Sequence, residues 1–465
     1  MSQPDWDVIV IGGGVVGCAI VRRFALGGAK TVLLERGSDI LSGASKANSA
    51  ILHTGFDAPP GSIEVKCMQA GYEEYLKIHQ RFNLPVLRTG ALVVAWNEEQ
   101  LNALPGIVAQ AHQNGVTDVE VIAQSALRAR EPELSPEALG AALVPGEMVI
   151  DPWSSPLAYL TQGKLAGAEA RFFSEVIGGE FDGNSWDLQT NNGRISGKIV
   201  INCTGNQGDI VEKICQQPDF EIRPRKGQFL VYDKSAAGLI NGIILPVPSN
   251  ITKGVVLTKT IFGNLLLGPT AEEQENREEA RVSEDKLVEL IETGTKMLPG
   301  LKDHGVTATY AGLRPATRLK DYQIAANSEK NWIGVNGIRS TGLTGALGIA
   351  AYVEKLCHEK FENLGVRFDD SGRNVIWPQM PMLAQDQTRP YQSGDGSEIV
   401  CHCESVTKGE IERALTSDIP ATSLGGLRRR TRVMMGRCNG FYCSANVAKI
   451  TKGRLDIPLG RERKS

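Results

Sequence analysis

Long apolar runs are missing from this sequence. Nowhere do its 465 residues approach the roughly 18 consecutive apolar positions of a membrane-spanning helix, so no transmembrane segment is expected. The N-terminal MSQPDWDVIVIGGG starts acidic, has no basic segment, and is stopped by glycine after the short apolar run Val8 to Ile11. That pattern suits a buried strand and not a signal peptide. The protein is therefore expected in the cytoplasm, or held peripherally at the inner face of the membrane. Positive charge is not in excess either: the formal net charge is −3, and a nucleic-acid partner is not expected. There is no internal repeat. Cysteine is sparse over most of the chain. Cys18, Cys67, Cys203, Cys215 and Cys357 are scattered among apolar or mixed neighbours and read as buried small hydrophobic side chains.

What is abundant is glycine, 51 residues, much of it clustered where strands give way to helices. DVIVI reads as a buried strand, GGGVVG as a turn, VGCAIVRRFALGG as a helix ended by glycine, and TVLLE as a second strand. Such a unit has parallel strands joined by a right-handed crossover. Residues 37–60 are loop-rich and contain His53, and 64–82 have helical periodicity. LPVLRTGALVVAW and KGQFLVYD suit strands of a mixed or antiparallel sheet. ISGKIVINCTGNQG gives a strand and a glycine turn. NWIGVNGIRSTGLTGALGIAAYVEKLCHE gives a strand, another such turn and a helix. The pattern is α/β, with a discontinuous nucleotide-binding unit and a second unit inserted in pieces.

Gly12, Gly14 and Gly17 form G-x-G-x-x-G between the first strand and the first helix. The first glycine permits the tight turn, the second lets the backbone approach a pyrophosphate, and the third lets helix and strand pack closely. The helix N-terminus then offers free N–H groups to the phosphates. Glu35 ends the next strand, at the distance expected of the acid that hydrogen-bonds a ribose. NAD would satisfy the same physics. The position of the motif at the start of the chain and the Ser/Ala/Asn-rich loop after Glu35 favour FAD, and no second fingerprint marks a separate NAD(P)H site.

Four cysteines are concentrated near the C-terminus. Cys401 and Cys403 give C-x-C, and Cys438 and Cys443 give C-x₄-C. Four thiolates in two local pairs can hold a [2Fe–2S] cluster or zinc, and these spacings are not those of the usual zinc knuckle. Thr407 and Glu410 have the spacing of a capping box that opens a helix just after the first pair. Arg428, Arg429, Arg430, Arg432 and Arg437 precede the second pair, where cations would stabilise a net-negative cluster; the alternative is a solvated basic face.

DVIVIGGGVVG…LLERG, SGASKANSAILHTGF, VINCTG and GIRSTGLTGALGIAA together resemble the D-amino-acid-oxidase-type FAD-dependent oxidoreductases, in particular the glycerol-3-phosphate dehydrogenase and L-2-hydroxyglutarate oxidase branches. EIVCHCESVTKGEIERAL…TRVMMGRCNGFYC resembles the bacterioferritin-associated-ferredoxin-like [2Fe–2S] domain, with the wider second spacing of its appended versions. The resemblance implies a Rossmann-type FAD-binding domain at 1–85, 146–220 and 320–365, and an inserted mixed-sheet substrate domain at 86–145 and 221–319. It further implies a linker at 366–396 and a small helical iron–sulfur domain at 397–465. Gly12, Gly14 and Gly17 would hold the pyrophosphate and Glu35 the ribose. Ser42, Ser45 and Asn48 would line the loop beside phosphate and flavin, Val176 would meet the adenine, and Thr204 and Gly205 would close the second turn. Gly342, Leu343 and Thr344 would sit near the flavin's polar edge. For each polar loop residue the plainer reading is a local turn hydrogen bond.

The same resemblance makes His53 the base facing the flavin ring and Arg314 the cation at the substrate's phosphate or carboxylate, with Arg318 and Arg339 as weaker candidates. Cys401, Cys403, Cys438 and Cys443 would ligate the cluster. The activity implied is oxidation of glycerol 3-phosphate or a similar small anionic hydroxy compound by hydride transfer to FAD, with electrons relayed through [2Fe–2S] to a partner subunit or quinone. The alternatives are a 2-hydroxy-acid, amino-acid or opine dehydrogenase subunit, and a redox-sensing protein that binds both groups without turnover.

Overall fold

The computed structural model describes residues 4–248, 254–366, 375–394 and 397–460. Its first sheet grows from the N-terminal apolar run. Trp6–Ile11 lies parallel to Thr31–Leu34 on one side and to Gly193–Asn202 on the other. Glu169–Arg171 and Trp332–Asn336 extend the parallel set outward. Strands buried on both faces need continuous apolar sequence, and TVLL and the IVI of Gly193–Asn202 supply it. The first half of Gly193–Asn202 also carries an antiparallel meander through Trp186–Thr190 to Val176–Phe181. Ile11, Leu34, Asn202 and Asn336 therefore all end at one edge of the sheet, where the glycine turns follow. In doubly wound sheets this is the edge at which ligands bind.

The second sheet is mixed, as the KGQFLVYD and ALVVA patterns suggest. Arg223–Tyr232 pairs antiparallel with Val306–Ala316 and with Leu265–Gly268, and Ile243–Pro246 runs parallel to Ala91–Ala95. Phe229 and Tyr310 face each other across it with ring centroids 4.7 Å apart, and the Tyr310 hydroxyl donates to Asn48 O at 2.7 Å. One wall of the second sheet is thereby fixed to the loop that follows the first. Behind the first sheet, helix Ile63–Ile78 crosses helix Gly342–Lys360 at glycine contacts. A Cβ on Gly348 would fall 2.0 Å from Cys67 O, and one on Gly71 would fall 2.1 Å from Thr344 O. All five scattered cysteines are buried, and burial pushes the Cys67 and Cys215 thiols up to about 12.

The expected linker at 366–396 lies partly outside the described residues. Its described portion runs along the body: Trp377 packs on Phe82 at 4.7 Å, Met380 N donates to Phe82 O at 2.9 Å, and Gln385 N to Ile261 O at 3.0 Å. The C-terminal unit is small and mainly helical, with helices Lys408–Thr416, Leu424–Thr431 and Ser444–Ile450 and one short hairpin of Ile399–Cys401 with Val406–Thr407. The capping box is present: Thr407 Oγ1 accepts from Glu410 N at 3.2 Å, and Glu410 Oε2 accepts from Thr407 N at 2.8 Å.

The basic run does not form a solvated face, nor does it mainly surround the cysteines. Arg430 makes a bidentate ion pair to Asp39 at 2.8 and 2.7 Å. The two residues are only 7% and 1% exposed. Arg429 donates to Ile40 O at 3.1 Å. Arg432 pairs with Glu404 at 2.8 Å and covers the Phe262 ring at 4.2 Å, and Arg437 pairs with Asp233. Arg428 is electrostatically linked to a clustered cysteine, Cys443. The run docks the C-terminal unit on the body because carboxylates of the body lie opposite it. Asp39→Ala strands the buried Arg430 charge. It is expected to cost about 3 kcal/mol or more, read as a lower denaturation midpoint and faster proteolysis ahead of the C-terminal unit.

Candidate functional site

One cavity of about 600 Å³ opens at the strand ends of the first sheet and is closed on its far side by the second. Gly12, Gly14, Glu35, Ser42, Ser45, Asn48, His53, Val176, Thr204, Gly205, Arg314, Gly342, Leu343 and Thr344 all line it. Gly17 lies behind the wall, where a Cβ would come within 2.0 Å of Gly12 O. Arg318 is not in the lining, and Arg339 is in the lining but committed to an ion pair with Glu64.

The cradle for a dinucleotide is shaped by missing side chains. Gly12 has φ +107°, and a Cβ there would lie 2.7 Å from Cys203 O. Gly14 is the N-cap of helix Val15–Leu26 and offers no capping side chain. Ser45 Oγ accepts from Val15 N at 3.0 Å instead. The first turn of that helix thus points donors at the cavity, where a pyrophosphate fits its partial positive charge. Glu35 accepts from Gly13 N and Gly37 N, each at 2.7 Å, so its carboxylate holds the turn as well as lining the site. Ser42 and Asn48 make local turn bonds, to Asp39 O at 2.8 Å and Ser45 O at 3.1 Å. The residues present suit FAD.

His53 is held from two directions. Its backbone N–H donates to Thr344 Oγ1 at 3.0 Å, and its ring Nδ1 lies 2.7 Å from Glu147 Oε2. Glu147 is fully buried, and its other oxygen accepts from Thr54 N at 2.6 Å and Thr54 Oγ1 at 2.9 Å. A carboxylate only accepts, so Nδ1 carries the hydrogen and the neutral ring presents Nε2 as its basic atom. Sequence reasoning missed Glu147, because a Glu following Pro145-Gly146 reads as the exposed end of a turn.

Arg314 faces a second arginine that the sequence also hid. Arg225 and Arg314 lie directly opposite in the antiparallel pair, and both line the cavity. Opposed residues share one face of a sheet. The Arg314 guanidinium lies over Gly227, where a Cβ would meet Nη2 at 2.5 Å, and Nη2 donates to Thr270 O at 3.4 Å. Burial, and then the Arg225 charge, lowers the Arg314 pKa to about 10, so it remains a cation at neutral pH.

The four clustered cysteines come together as two couples. The Cys403 thiol lies near that of Cys438 and the Cys401 thiol near that of Cys443, and charge on one couple is felt by the other. Among the described residues no three His, Cys, Asp or Glu side chains converge on a point for a single metal ion. Two couples suit two irons, each taking two thiolates, better than one tetrahedral zinc. The Tyr442 N–H, with those of Gly440 and Phe441, holds the Cys438 thiol below its ordinary range; such a nest of amides suits a thiolate.

Gly12→Ala places a Cβ against Cys203 O at a backbone conformation that L residues rarely adopt. The variant is expected to fold with its iron and sulfide intact and to purify without flavin absorbance.

Known proteins share these features. The FAD dependent oxidoreductase family (DAO) matches residues 7–356, and the BFD-like [2Fe-2S] binding domain matches 399–452. Glycerol 3-phosphate dehydrogenase of Caloramator mitchellensis is 30% identical over 457 residues, covering 98% of this chain and 95% of its own. One subunit of the anaerobic glycerol-3-phosphate dehydrogenase of Escherichia coli (strain K12) is 26% identical over 488 residues, covering 96% and 87%. The fold is shared with dithionite-reduced L-alpha-glycerophosphate oxidase from Mycoplasma pneumoniae with FAD bound, at TM-score 0.73 and 24% identity, over 81% of this chain and 99% of that one. This chain belongs to the FAD dependent oxidoreductase family, and joins an FAD-binding oxidoreductase to a BFD-like [2Fe–2S] domain.

Proposed function

We propose that the protein is a dehydrogenase that oxidises the secondary alcohol of glycerol 3-phosphate to the ketone and delivers the electrons through its iron–sulfur domain to a partner subunit. The observation that carries this reading is the Arg225–Arg314 pair in the cavity that His53, backed by the buried Glu147, also lines. Two adjacent guanidiniums repel one another, and an anion between them relieves the repulsion; a phosphate carries the charge and the oxygens to bridge both. A phosphate fixed there sets the rest of a three-carbon substrate within the same cavity. The parallel sheet forms the FAD-binding part, and the mixed sheet brings the substrate-binding arginines.

Bound FAD supplies the hydride acceptor for the carbinol carbon. The remaining work belongs to the chain. His53 Nε2 takes the hydroxyl proton, and Glu147 keeps the ring in the required tautomer and balances the imidazolium that forms. Cys401, Cys403, Cys438 and Cys443 would hold the cluster, which would supply one-electron transfer to an acceptor. The Escherichia coli relative, itself named as one subunit of a larger enzyme, supports a separate electron-accepting subunit for this chain. Among the described residues no helix is long and apolar enough to cross a membrane.

Anaerobic mixing with glycerol 3-phosphate is expected to bleach the oxidised flavin, and Arg314→Ala is expected to raise KM at least a hundredfold with a smaller change in kcat. Bleaching by 2-hydroxy carboxylates but not by glycerol 3-phosphate would overturn the substrate assignment.

Glu147→Gln keeps the shape but removes the charge beside His53. We expect flavin reduction at neutral pH to slow at least tenfold, and the acid limb of kcat/KM to move to lower pH, because the protonated ring loses its carboxylate partner. The pH–rate profile checks this.

A further inference from the structure

Among the described residues, the most exposed large apolar side chains sit in the loop of the cysteine cluster. Phe441 and Tyr442 are 79% and 78% exposed, whereas no other exposed large apolar side chain among the described residues exceeds 57%. They occupy the loop between Cys438 and Cys443, and their rings form a T-shaped pair with centroids 5.2 Å apart. Two adjacent aromatic rings held in water are a cost to a protein that has nothing to cover them, and aromatic side chains of this kind anchor interfaces.

The loop that presents them is not slack. Phe441 N donates to Cys438 O at 2.9 Å, and Ser444 N to Gly440 O at 2.9 Å. Asn439 Nδ2 reaches across to the catalytic body and donates to Thr307 O at 3.1 Å. Gly440, at φ +87°, packs so closely that a Cβ would come within 2.5 Å of Met434 Cε. The rings are therefore displayed by a preorganised turn, which lowers the ordering cost of an encounter.

The stretch of chain that bears them carries one sign of charge. From Arg437 to Leu455 there is no Asp or Glu, while Lys449, Lys452 and Arg454 are exposed. Exit from the cluster is also one-sided: Cys401 and Cys443 are buried, but Cys403 and Cys438 are partly exposed. Whatever covers Phe441 and Tyr442 is thereby brought against the exposed couple.

We propose that the Phe441–Tyr442 loop is the docking site for the protein that takes electrons from the cluster, an electron carrier whose contact face is apolar at its centre and ringed by carboxylates. The step moves one electron from the reduced cluster to the carrier's oxidised one-electron centre, with no bond made or broken. An anionic membrane would suit the same charges, but lipid accepts no electrons, and the patch lies on the cluster's own ligand loop. The proposal deepens the partner-subunit reading above and rests on it.

The test uses the full-length holoprotein and needs no substrate, so its failure is distinct from failure of the substrate assignment. A reduced plant-type [2Fe–2S] ferredoxin, acidic and strongly reducing, is mixed with the oxidised protein in a stopped-flow instrument. The second-order rate constant should fall at least tenfold in the Phe441→Ser/Tyr442→Ser double variant, and comparably in Lys449→Glu/Lys452→Glu. It should also fall with added salt. Reduction by dithionite, which needs no docking surface, should stay at the wild-type rate, with flavin and iron content unchanged. Wild-type ferredoxin rates in the aromatic variant, or no ferredoxin reaction at all, would overturn the proposal. So would loss in the variant of binding to phosphatidylserine vesicles or of a wild-type dimer seen by sedimentation, which would make the patch a membrane face or a self-association face.

Discussion

The close approach of strand and helix at Gly12 and Gly17 governs more of this molecule than any other contact. A Cβ on Gly17 would lie 2.0 Å from Gly12 O, so helix Val15–Leu26 sits as near the first strand as backbones allow. That proximity aims the helix N-terminus at the cavity. It also brings the segment after the second strand under the turn: Glu35 accepts from Gly13 N, and Leu41 N donates to Gly13 O at 2.9 Å. Asp39 lies within that segment and receives Arg430 from the C-terminal unit. The cofactor turn and the docking of the iron–sulfur domain thus share one short stretch of chain, residues 35–41. The two are joined there by the Glu35 carboxylate and by the Leu41 N–H on the turn.

Charge in the site follows two opposite arrangements. Glu147 is surrounded by donors from Thr54 and by the His53 ring. Burying a carboxylate is costly unless such donors replace water, and here they also fix the orientation of the ring. Arg225 and Arg314 carry the opposite logic. Two cations opposed on one face of a sheet destabilise each other, and burial strengthens their repulsion. An anion set between them would relieve that repulsion.

The arginine-rich stretch shows how one pattern supports different outcomes according to its surroundings. Arg430 and Arg432 are spent on Asp39 and Glu404. Arg432 also lies over Phe262, which stacks on Trp153 at 5.3 Å, and the Trp153 indole N–H reaches Lys46 O at 3.2 Å, on the loop that lines the cofactor cavity. The C-terminal unit is consequently fastened to the body by the buried Arg430–Asp39 ion pair and a cation over a ring, contacts that fix orientation as well as distance.

The dinucleotide turn, the α/β class and the two cysteine pairs were legible in the amino-acid order. Each depends on local chemistry: a glycine where a Cβ has no room, an apolar run long enough for a buried strand, thiols a few residues apart. The capping box at Thr407 and Glu410 was readable for the same reason. Three features emerged from the folded chain instead: Glu147 behind His53, Arg225 beside Arg314, and Arg430 on Asp39. In each case the partners lie far apart in the chain. Glu147 reads as the end of an exposed turn, Arg225 as an ordinary strand residue, and Arg430 as one charge in a basic run. Which charges meet is set by strand register and domain packing, and register follows from pairings across the whole sheet, which no local stretch of sequence encodes.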